Sequence, residues 1–386
     1  MKHLSYIFIL MMFALGNAQT GLYNQGNLGI HQEGKIGFHT HLINDGVIDD
    51  AEGLAGFYSA ANIIEVSGAF PATFYDTEFM TQNGVLLNTT MNVENNANFI
   101  TGDVLTFRNQ PSNTLNFLAT SFSTGEADIS KVDGYASINN LQNFTFPIGD
   151  VVQLRPLILN SNATNAVAKC AYFFEDPNTA ATFATGFNTN IKSETIGEVS
   201  TVEFWHLEGS VPSTISISWN ARSNIGALTD DPNNVVAVGW SKAINQWVSL
   251  GGTSTGDLTQ GFAVSASFVP DDYEIITFSG AGEPSDIINL DNYLVTPNGD
   301  GINDVLEFPE LALSPNNHMR IFDRYGLKVF DQRNYVNEFG GFANGNSLVL
   351  NKDEGLPAGV YFYIISMDDL GLDFQGFLYL ASQNAN

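Results

Sequence analysis

The apolar and polar positions along this chain follow the pattern of short β-strands. In "TISISWNA" the apolar residues Ile215, Ile217 and Trp219 alternate with serines, and a period of two places all three on one face of a strand. Four further runs follow, separated by turn residues: "VVAVGW", "NQWVSLG", "GFAVSASFV" and "YEIITFSG". Helical periodicity is nearly absent, so the sequence predicts an all-β protein.

A looser repeat precedes these strands. A polar residue, a glycine, any residue and an aliphatic residue recur in "QGNL", "EGKI", "DGVI" and "NGVL", and in shifted form in "TGDVL". A glycine turn that repeatedly leads into a short strand is typical of stacked β-solenoid rungs and also of an irregular meander of hairpins. The pattern therefore predicts a β-solenoid-like or meander region at residues 19–143, followed by a second β-region at residues 144–280.

The second region contains all four tryptophans of the chain: Trp205, Trp219, Trp240 and Trp247. Aromatic residues at strand spacing pack in the core of a β-sandwich, which is the fold predicted for residues 144–280. The alternative is that these rings form a platform on which a carbohydrate stacks. The small and flexible residues 281–286 predict a linker, and a last module follows at residues 287–386.

The charge balance limits the classes of partner. Asp and Glu outnumber Lys and Arg by 41 to 14, which gives a net charge of −27. A field of this sign repels phosphate backbones and anionic lipid headgroups, so binding to nucleic acid or to a membrane surface is not expected. Divalent cations remain attractive partners.

The first residues, 1–18, predict a signal peptide. Lys2 supplies the positive start, the stretch from Leu4 to Leu15 is almost unbroken apolar sequence, and Ala18 is a small residue at the cleavage position. This apolar run is too short for a stable membrane span, and no later stretch is long enough either. The sequence therefore predicts export and no transmembrane span.

Sequence motifs of catalysis are absent. The chain has no Gly-x-Ser-x-Gly, no His-Glu-x-x-His and no phosphate-binding glycine loop. Its only cysteine, Cys170, excludes internal disulfides and cysteine-based zinc sites, and its aromatic neighbours predict a buried apolar filler. We therefore expect a protein that is not an enzyme and has no cofactor, with a structural calcium ion as the alternative.

Four motifs stand in a fixed order in the last module: "NYLVTPNGDGINDVLEFPEL" (292–311), "MRIFDRYGLKVFD" (319–331), "LPAGVYFYII" (356–365) and "GFLYL" (376–380). In these motifs the module resembles the gliding-motility-associated C-terminal domain, which is the type B sorting domain of the Bacteroidetes type IX secretion system. The resemblance covers about residues 287–386. Where the family usually has an Asn-x-Trp-Asp-Gly-like motif, this chain has "NEFGG" at 337–341, and we expect Phe339 to fill an apolar pocket.

The resemblance implies a fold and a route. The fold is a seven-stranded, immunoglobulin-like sandwich. The route is Sec-dependent export followed by recognition of the C-terminal domain by the type IX secretion machinery at the outer membrane. The protein is then expected at the cell surface or in the extracellular medium.

The first of the four motifs also carries candidate chemistry, because it places two glycines among carboxylate and amide side chains. The glycines permit positive φ, and the side chains can bond to nearby backbone, so one interpretation is a hydrogen-bonded turn between strands. The other is a calcium loop of twelve residues starting at Thr296, a partial fit that places Asn298, Asp300 and Glu307 at ligand positions but has Thr rather than Asp at the first. The candidate calcium ligands are Asn298, Asp300, Asn303, Asp304 and Glu307.

These observations predict a non-enzymatic cell-surface or secreted protein with an adhesive or surface-structural role. Its partners are then the type IX secretion machinery and a surface glycan or protein ligand. The alternative is a glycan-binding or glycan-degrading surface protein whose Trp-rich sandwich holds the sugar.

Overall fold

The computed structural model describes residues 21–282, 293–344 and 355–381. The predicted signal peptide, residues 1–18, lies outside these ranges, as do residues 283–286 of the predicted linker. Strands make up 51% of the described residues and helices 6%, which confirms the predicted all-β class.

The chain divides into two compact units. One consists of Met1–Ile191 and Val199–Ser279, and the other of Lys192–Glu198 and Gly280–Asn386. Each unit has its own hydrophobic core.

Short strands fill the first unit as far as residue 149. They are β1 (Gly21–Asn24), β2 (Asn27–Ile30), β3 (Lys35–Phe38), β4 (His41–Asn44), β5 (Val47–Ala51), β6 (Leu54–Ser59), β7 (Ile64–Ser67), β8 (Ala72–Thr81), β9 (Val85–Leu87), β10 (Met91–Thr101), β11 (Val104–Thr106), β12 (Leu115–Phe117), β13 (Phe122–Thr124), β14 (Val132–Asp133), β15 (Tyr135–Phe146) and β16 (Ile148–Gly149). Each of the five glycine units leads directly into one of them, namely β2, β3, β5, β9 and β11.

Strands from successive turns of the chain pair in parallel. One sheet has the order β1-β4-β7-β9-β11-β14-β16, and a second has the order β3-β6-β8-β10-β12-β15. A third, two-stranded sheet pairs β2 with β5. Parallel stacking of consecutive turns defines a β-solenoid, so of the two arrangements that the sequence left open the solenoid is correct.

A column of phenylalanines fills the solenoid interior. Phe38, Phe57, Phe79 and Phe99 occupy the same register on neighbouring strands, and the centroids of successive rings lie 5.0, 5.8 and 5.4 Å apart. All four side chains are buried. Because parallel strands in register repeat every ~4.8 Å, one ring per rung can stack on the next along the interior.

The rest of the first unit is built from longer strands and short 3₁₀-helices. The strands are β17 (Leu157–Phe173), β19 (Phe204–Gly209), β20 (Ser213–Trp219), β21 (Val235–Ser241), β22 (Gln246–Ser249), β23 (Thr253–Gly256), β24 (Gly261–Val264) and β25 (Tyr273–Ala281), while β18 (Ile196–Val199) begins among the residues assigned to the second unit. The 3₁₀-helices are Pro177–Thr179, Ala221–Ser223, Ile225–Ala227, Pro232–Asn234 and Pro270–Asp272. The five strand runs predicted from alternation correspond to β20, β21, β22, β24 and β25.

After the last rung of the solenoid, neighbouring strands pair antiparallel. Strand β15 pairs with β17, whose two halves then pair with different partners, β20 and β19. The branch β20-β24-β23 and the branch β19-β25-β21-β22 therefore start from one strand. Trp219 of the first branch contacts Phe278 of the second, with ring centroids 5.9 Å apart, so the two branches pack face to face as a β-sandwich.

One hydrophobic core runs from Ile30 in the solenoid to Phe278 in the sandwich. The predicted boundary between residues 143 and 144 falls inside β15, which belongs to the sheet that the two regions share. The separation into domains at 19–143 and 144–280 stays a prediction.

The second unit contains β26 (Tyr293–Val295), β27 (Asn317–Phe322), β28 (Lys328–Arg333), β29 (Gly359–Met367) and β30 (Leu372–Leu380), and the 3₁₀-helix Pro309–Leu313. The strands form one five-stranded sheet of order β26-β30-β29-β27-β28. Its buried face carries the core of this unit. The seven-stranded immunoglobulin-like arrangement stays a prediction.

In the ranges given above, no helix has both the length and the apolar character needed to cross a membrane.

Candidate functional site

The acidic, glycine-containing loop lies between β26 and the 3₁₀-helix of the second unit. Its centre is the carboxylate of Asp304, which accepts three backbone hydrogen bonds. The N–H groups of Asn298 and Gly299 donate to Oδ1 at 3.0 and 2.7 Å, and that of Gly301 donates to Oδ2 at 2.8 Å. One side chain therefore holds the loop closed from within.

The backbone conformation explains the residue types of this loop. Gly299 and Gly301 have φ of 76° and 84°, and Asn303 has φ of 53°, a region that glycine and asparagine enter at the lowest cost. The N–H of Thr296 donates to the carbonyl of Asn303 at 2.7 Å and closes the turn at its base. The sequence motif thus encodes a nest of N–H groups around one anion.

The electrostatics of the loop agree with this arrangement. The N–H groups of Gly299 and Gly301 lower the pKa of the Asp304 carboxyl from its ordinary value, because they bond to its charged form. The charged side chain is therefore the form that orders the loop.

The other candidate calcium ligands are also tied into local hydrogen bonds or face solvent. The amide of Asn298 donates to Asp300 Oδ2 at 3.0 Å, and Asp300 Oδ1 accepts from the N–H of Ile302 at 2.8 Å. Glu307 is exposed and lies between two buried residues of the chain. The structure thus brings Asn298, Asp300 and Asp304 together by hydrogen bonds.

Within the described ranges, no group of three or more His, Cys, Asp or Glu side chains is placed to hold a metal ion. The interpretation as a hydrogen-bonded turn accounts for the contacts of the loop without an ion. Calcium at Asn298, Asp300, Asn303, Asp304 and Glu307 stays a prediction.

The "NEFGG" segment supports the loop from the side, which sequence reasoning did not foresee. The N–H of Leu306 donates to the carbonyl of Phe339 at 2.9 Å, and the side chain of Asn337 accepts from the N–H of Phe308 at 3.1 Å. Phe339 is 1% exposed and packs against Phe330 with centroids 5.1 Å apart. The expectation that Phe339 fills an apolar pocket is confirmed.

The four tryptophans lie in the core of the first unit. Their exposed fractions are 0% for Trp205 and Trp247, 2% for Trp219 and 8% for Trp240. The indole N–H of Trp205 donates to the carbonyl of Arg155 at 3.1 Å, and that of Trp219 to the carbonyl of Asp257 at 2.7 Å. Rings this deeply buried cannot offer a face to a sugar, so the interpretation of these tryptophans as a stacking platform is wrong.

Cys170 is a buried free thiol, as the sequence predicted. Burial raises its pKa well above the ordinary value, which keeps the thiol protonated and unreactive.

Comparison with known proteins places the loop within a family. Residues 288–380 match the family model described as CHU_C Type IX secretion signal domain. This match confirms the resemblance that the four motifs carry, and it covers the loop, the "NEFGG" segment and the five-stranded sheet. No curated protein and no solved structure matches the chain.

Proposed function

We propose that this chain is a non-enzymatic cell-surface or secreted protein that leaves the cell in two steps. A signal peptide directs it through the Sec pathway, and the C-terminal domain then directs it through the type IX secretion machinery at the outer membrane. The observation that carries this proposal is the match of residues 288–380 to a type IX secretion signal domain.

The first unit is then the exported cargo, and an adhesive or surface-structural role suits its architecture. A stack of rungs with one continuous core forms a rigid body that can present side chains at defined intervals along its surface. The negative charge of the chain keeps such a body soluble. A glycan-binding role that depends on the four tryptophans is not proposed, because their rings are buried.

Export is tested with a reporter fusion. A signal peptide, a reporter that fluoresces in the periplasm and residues 283–386 are joined in that order and expressed in a host that has the secretion system. We expect the reporter outside the cell. The matched controls are the fusion without residues 283–386 and the same fusion in a host that lacks the secretion system, and both should keep the reporter in the periplasm. Periplasmic retention of the complete fusion would refute the export assignment.

The surface role is tested separately, in cells that export the protein. Cells that express the whole chain are compared with cells that express the chain without residues 21–282, with equal amounts of C-terminal domain at the surface. We expect weaker attachment or an altered surface layer without the first unit. Equal attachment and an unchanged surface layer would contradict the role and leave the export route intact.

A further inference from the structure

The outward face of the second solenoid sheet carries a row of polar side chains that the export route does not use. Parallel pairing in register places Gly56 of β6, Glu78 of β8, Asn98 of β10 and Thr124 of β13 side by side. A neighbouring row on the same face contains Asp76. Side chains some 20 residues apart in sequence therefore share one surface.

The polar groups of these rows are held in fixed orientations. Tyr58 Oη donates to Glu78 Oε1 at 3.0 Å, and the amide of Asn98 donates to Glu78 Oε2 at 3.2 Å. The amide of Asn95 donates to Asp76 Oδ1 at 2.7 Å. Each carboxylate oxygen keeps a second lone pair, so the rows present oriented acceptors to a ligand.

A tyrosine ring lies against the sheet beside these carboxylates. A Cβ atom on Gly56 would be 2.0 Å from Tyr58 Oη, and one on Gly37 would be 3.4 Å from a ring carbon. Gly56 therefore leaves the space in which the Tyr58 ring lies across the strands, whereas a Cβ on Gly37 would only reach ordinary contact distance of that ring. The partly exposed ring has its centroid 5.6 Å from that of His39, which makes an aromatic platform.

Two open cavities lie on this face, one lined by Tyr58 and the other by Glu78, its hydrogen-bond partner. One has a volume of about 540 Å³ and is lined by Asp76, Glu78 and the half-exposed ring of Phe122, among others. The other has a volume of about 580 Å³ and is lined by Tyr58 and Met80, among others. Volumes of this size are typical of small-molecule sites, and each cavity joins polar groups to an aromatic or apolar side chain.

The side chains on this face indicate which class of ligand it can bind. Sugars present hydroxyl groups that pair with oriented carboxylate and amide groups, and apolar C–H faces that pack on aromatic rings. Glu33, Glu52, Asp76 and Glu78 line the first cavity against a single cation, Lys35, so an anionic polymer would be repelled. The described residues offer no cluster of three acidic or histidine ligands for a metal ion here.

The geometry points to a binding site for a neutral glycan chain on the outward face of β6, β8, β10 and β13, with Tyr58 as its stacking residue. The site lies in the solenoid and is distinct from the tryptophans of the sandwich. The inference gives the proposed surface role a ligand class. It does not depend on the export route, because binding is measured with purified protein.

The test is affinity electrophoresis of the whole chain in gels that contain one neutral polysaccharide each, from a set of mannan, xyloglucan, laminarin and starch, with polygalacturonate as the anionic comparison. We expect at least one neutral polymer to retard the protein. Tyr58→Ala should weaken that retardation about tenfold through loss of stacking and of the hydrogen bond to Glu78. Tyr58→Phe, which keeps the ring, should weaken it only a few-fold.

The matched control is Tyr75→Ala. Tyr75 lies on β8, is 37% exposed and lines neither cavity, so its loss should leave retardation unchanged. Thermal unfolding of each variant establishes that the fold is intact. The inference is overturned if none of the four neutral polymers retards the native chain, if only polygalacturonate does, or if folded Tyr58→Ala binds as well as the native protein.

Discussion

The buried ion pair between Arg155 and Glu203 should be the most sensitive single point in the first unit. Arg155 Nη2 lies 2.8 and 2.7 Å from the two carboxylate oxygens of Glu203, and the two side chains are 2% and 0% exposed. Tyr172 Oη donates to Glu203 Oε2 at 2.6 Å. Arg155 also donates to the Ser218 carbonyl at 2.8 Å and to Ser223 Oγ at 3.1 Å, so the pair connects β17 and β20 with the segments that precede β17 and β19.

Removing one partner leaves the other charged and buried. We expect Arg155→Met and Glu203→Leu each to lower the free energy of unfolding by about 3 to 5 kcal/mol. For a unit of this size that corresponds to a loss of roughly 6 to 20 °C in melting temperature. The measurement is thermal and urea unfolding of the whole chain.

The double variant distinguishes the effect of losing the ion pair from the effect of losing side-chain volume. With both charges gone, we expect a loss of about 1 to 3 kcal/mol, which arises from the Tyr172 hydroxyl that has lost its acceptor. Adding Tyr172→Phe should restore most of that loss. The control is Lys169→Met, which removes a partly exposed ion pair with Glu208 and should cost about 1 kcal/mol or less.

Additivity would refute this reasoning. If the double variant loses the sum of the two single losses, the two charges do not depend on each other and the stabilisation comes from packing alone. Single losses below about 1 kcal/mol would contradict the claim that each buried charge depends on its partner.

Three further predictions concern other parts of the chain. Asp304→Asn should lower the melting temperature of the second unit, because the N–H groups around Asp304 lose their charged acceptor. Acidification below the lowered pKa of Asp304 should do the same, because the stability that is present above the ordinary carboxyl pKa is lost as the carboxylate is protonated. A melting temperature unchanged in both experiments would contradict the role of the Asp304 anion in ordering the loop. The calcium interpretation is tested by titration calorimetry with millimolar calcium, with the Asp304→Asn variant as the control. If the loop binds calcium, only the native chain should give heat. If neither protein gives heat, the calcium interpretation is wrong. Burial lowers the pKa of His206 to about 4, so the free energy of unfolding of the first unit should fall by about 3 kcal/mol as the pH falls from ~6.5 to ~4. His206→Gln should flatten that part of the plot of stability against pH. An equally steep plot in the variant would contradict the claim that His206 causes this loss.

Local patterns in the sequence determined the strands and the C-terminal sorting domain of this protein. Alternation with a period of two identified β20 and its neighbours, since that period depends only on which face of a strand is buried. The glycine units marked strand starts, because a tight turn needs the backbone freedom of glycine whatever surrounds it. The C-terminal motifs identified the sorting domain, and the residue types around Asp304 predicted a backbone-bonded turn.

The tertiary structure alone decided which distant residues meet. Stacking in register brings Tyr58, Glu78 and Asn98 onto one face, and the length of each rung, which sets that register, is not encoded in any local period. The partnership of Arg155 with Glu203 likewise spans 48 residues and gives no signal in a window of sequence. The tertiary structure also decided that the tryptophans are buried. An alternating sequence pattern is the same for a core face and a binding face, and the two differ only in whether a second layer covers that face.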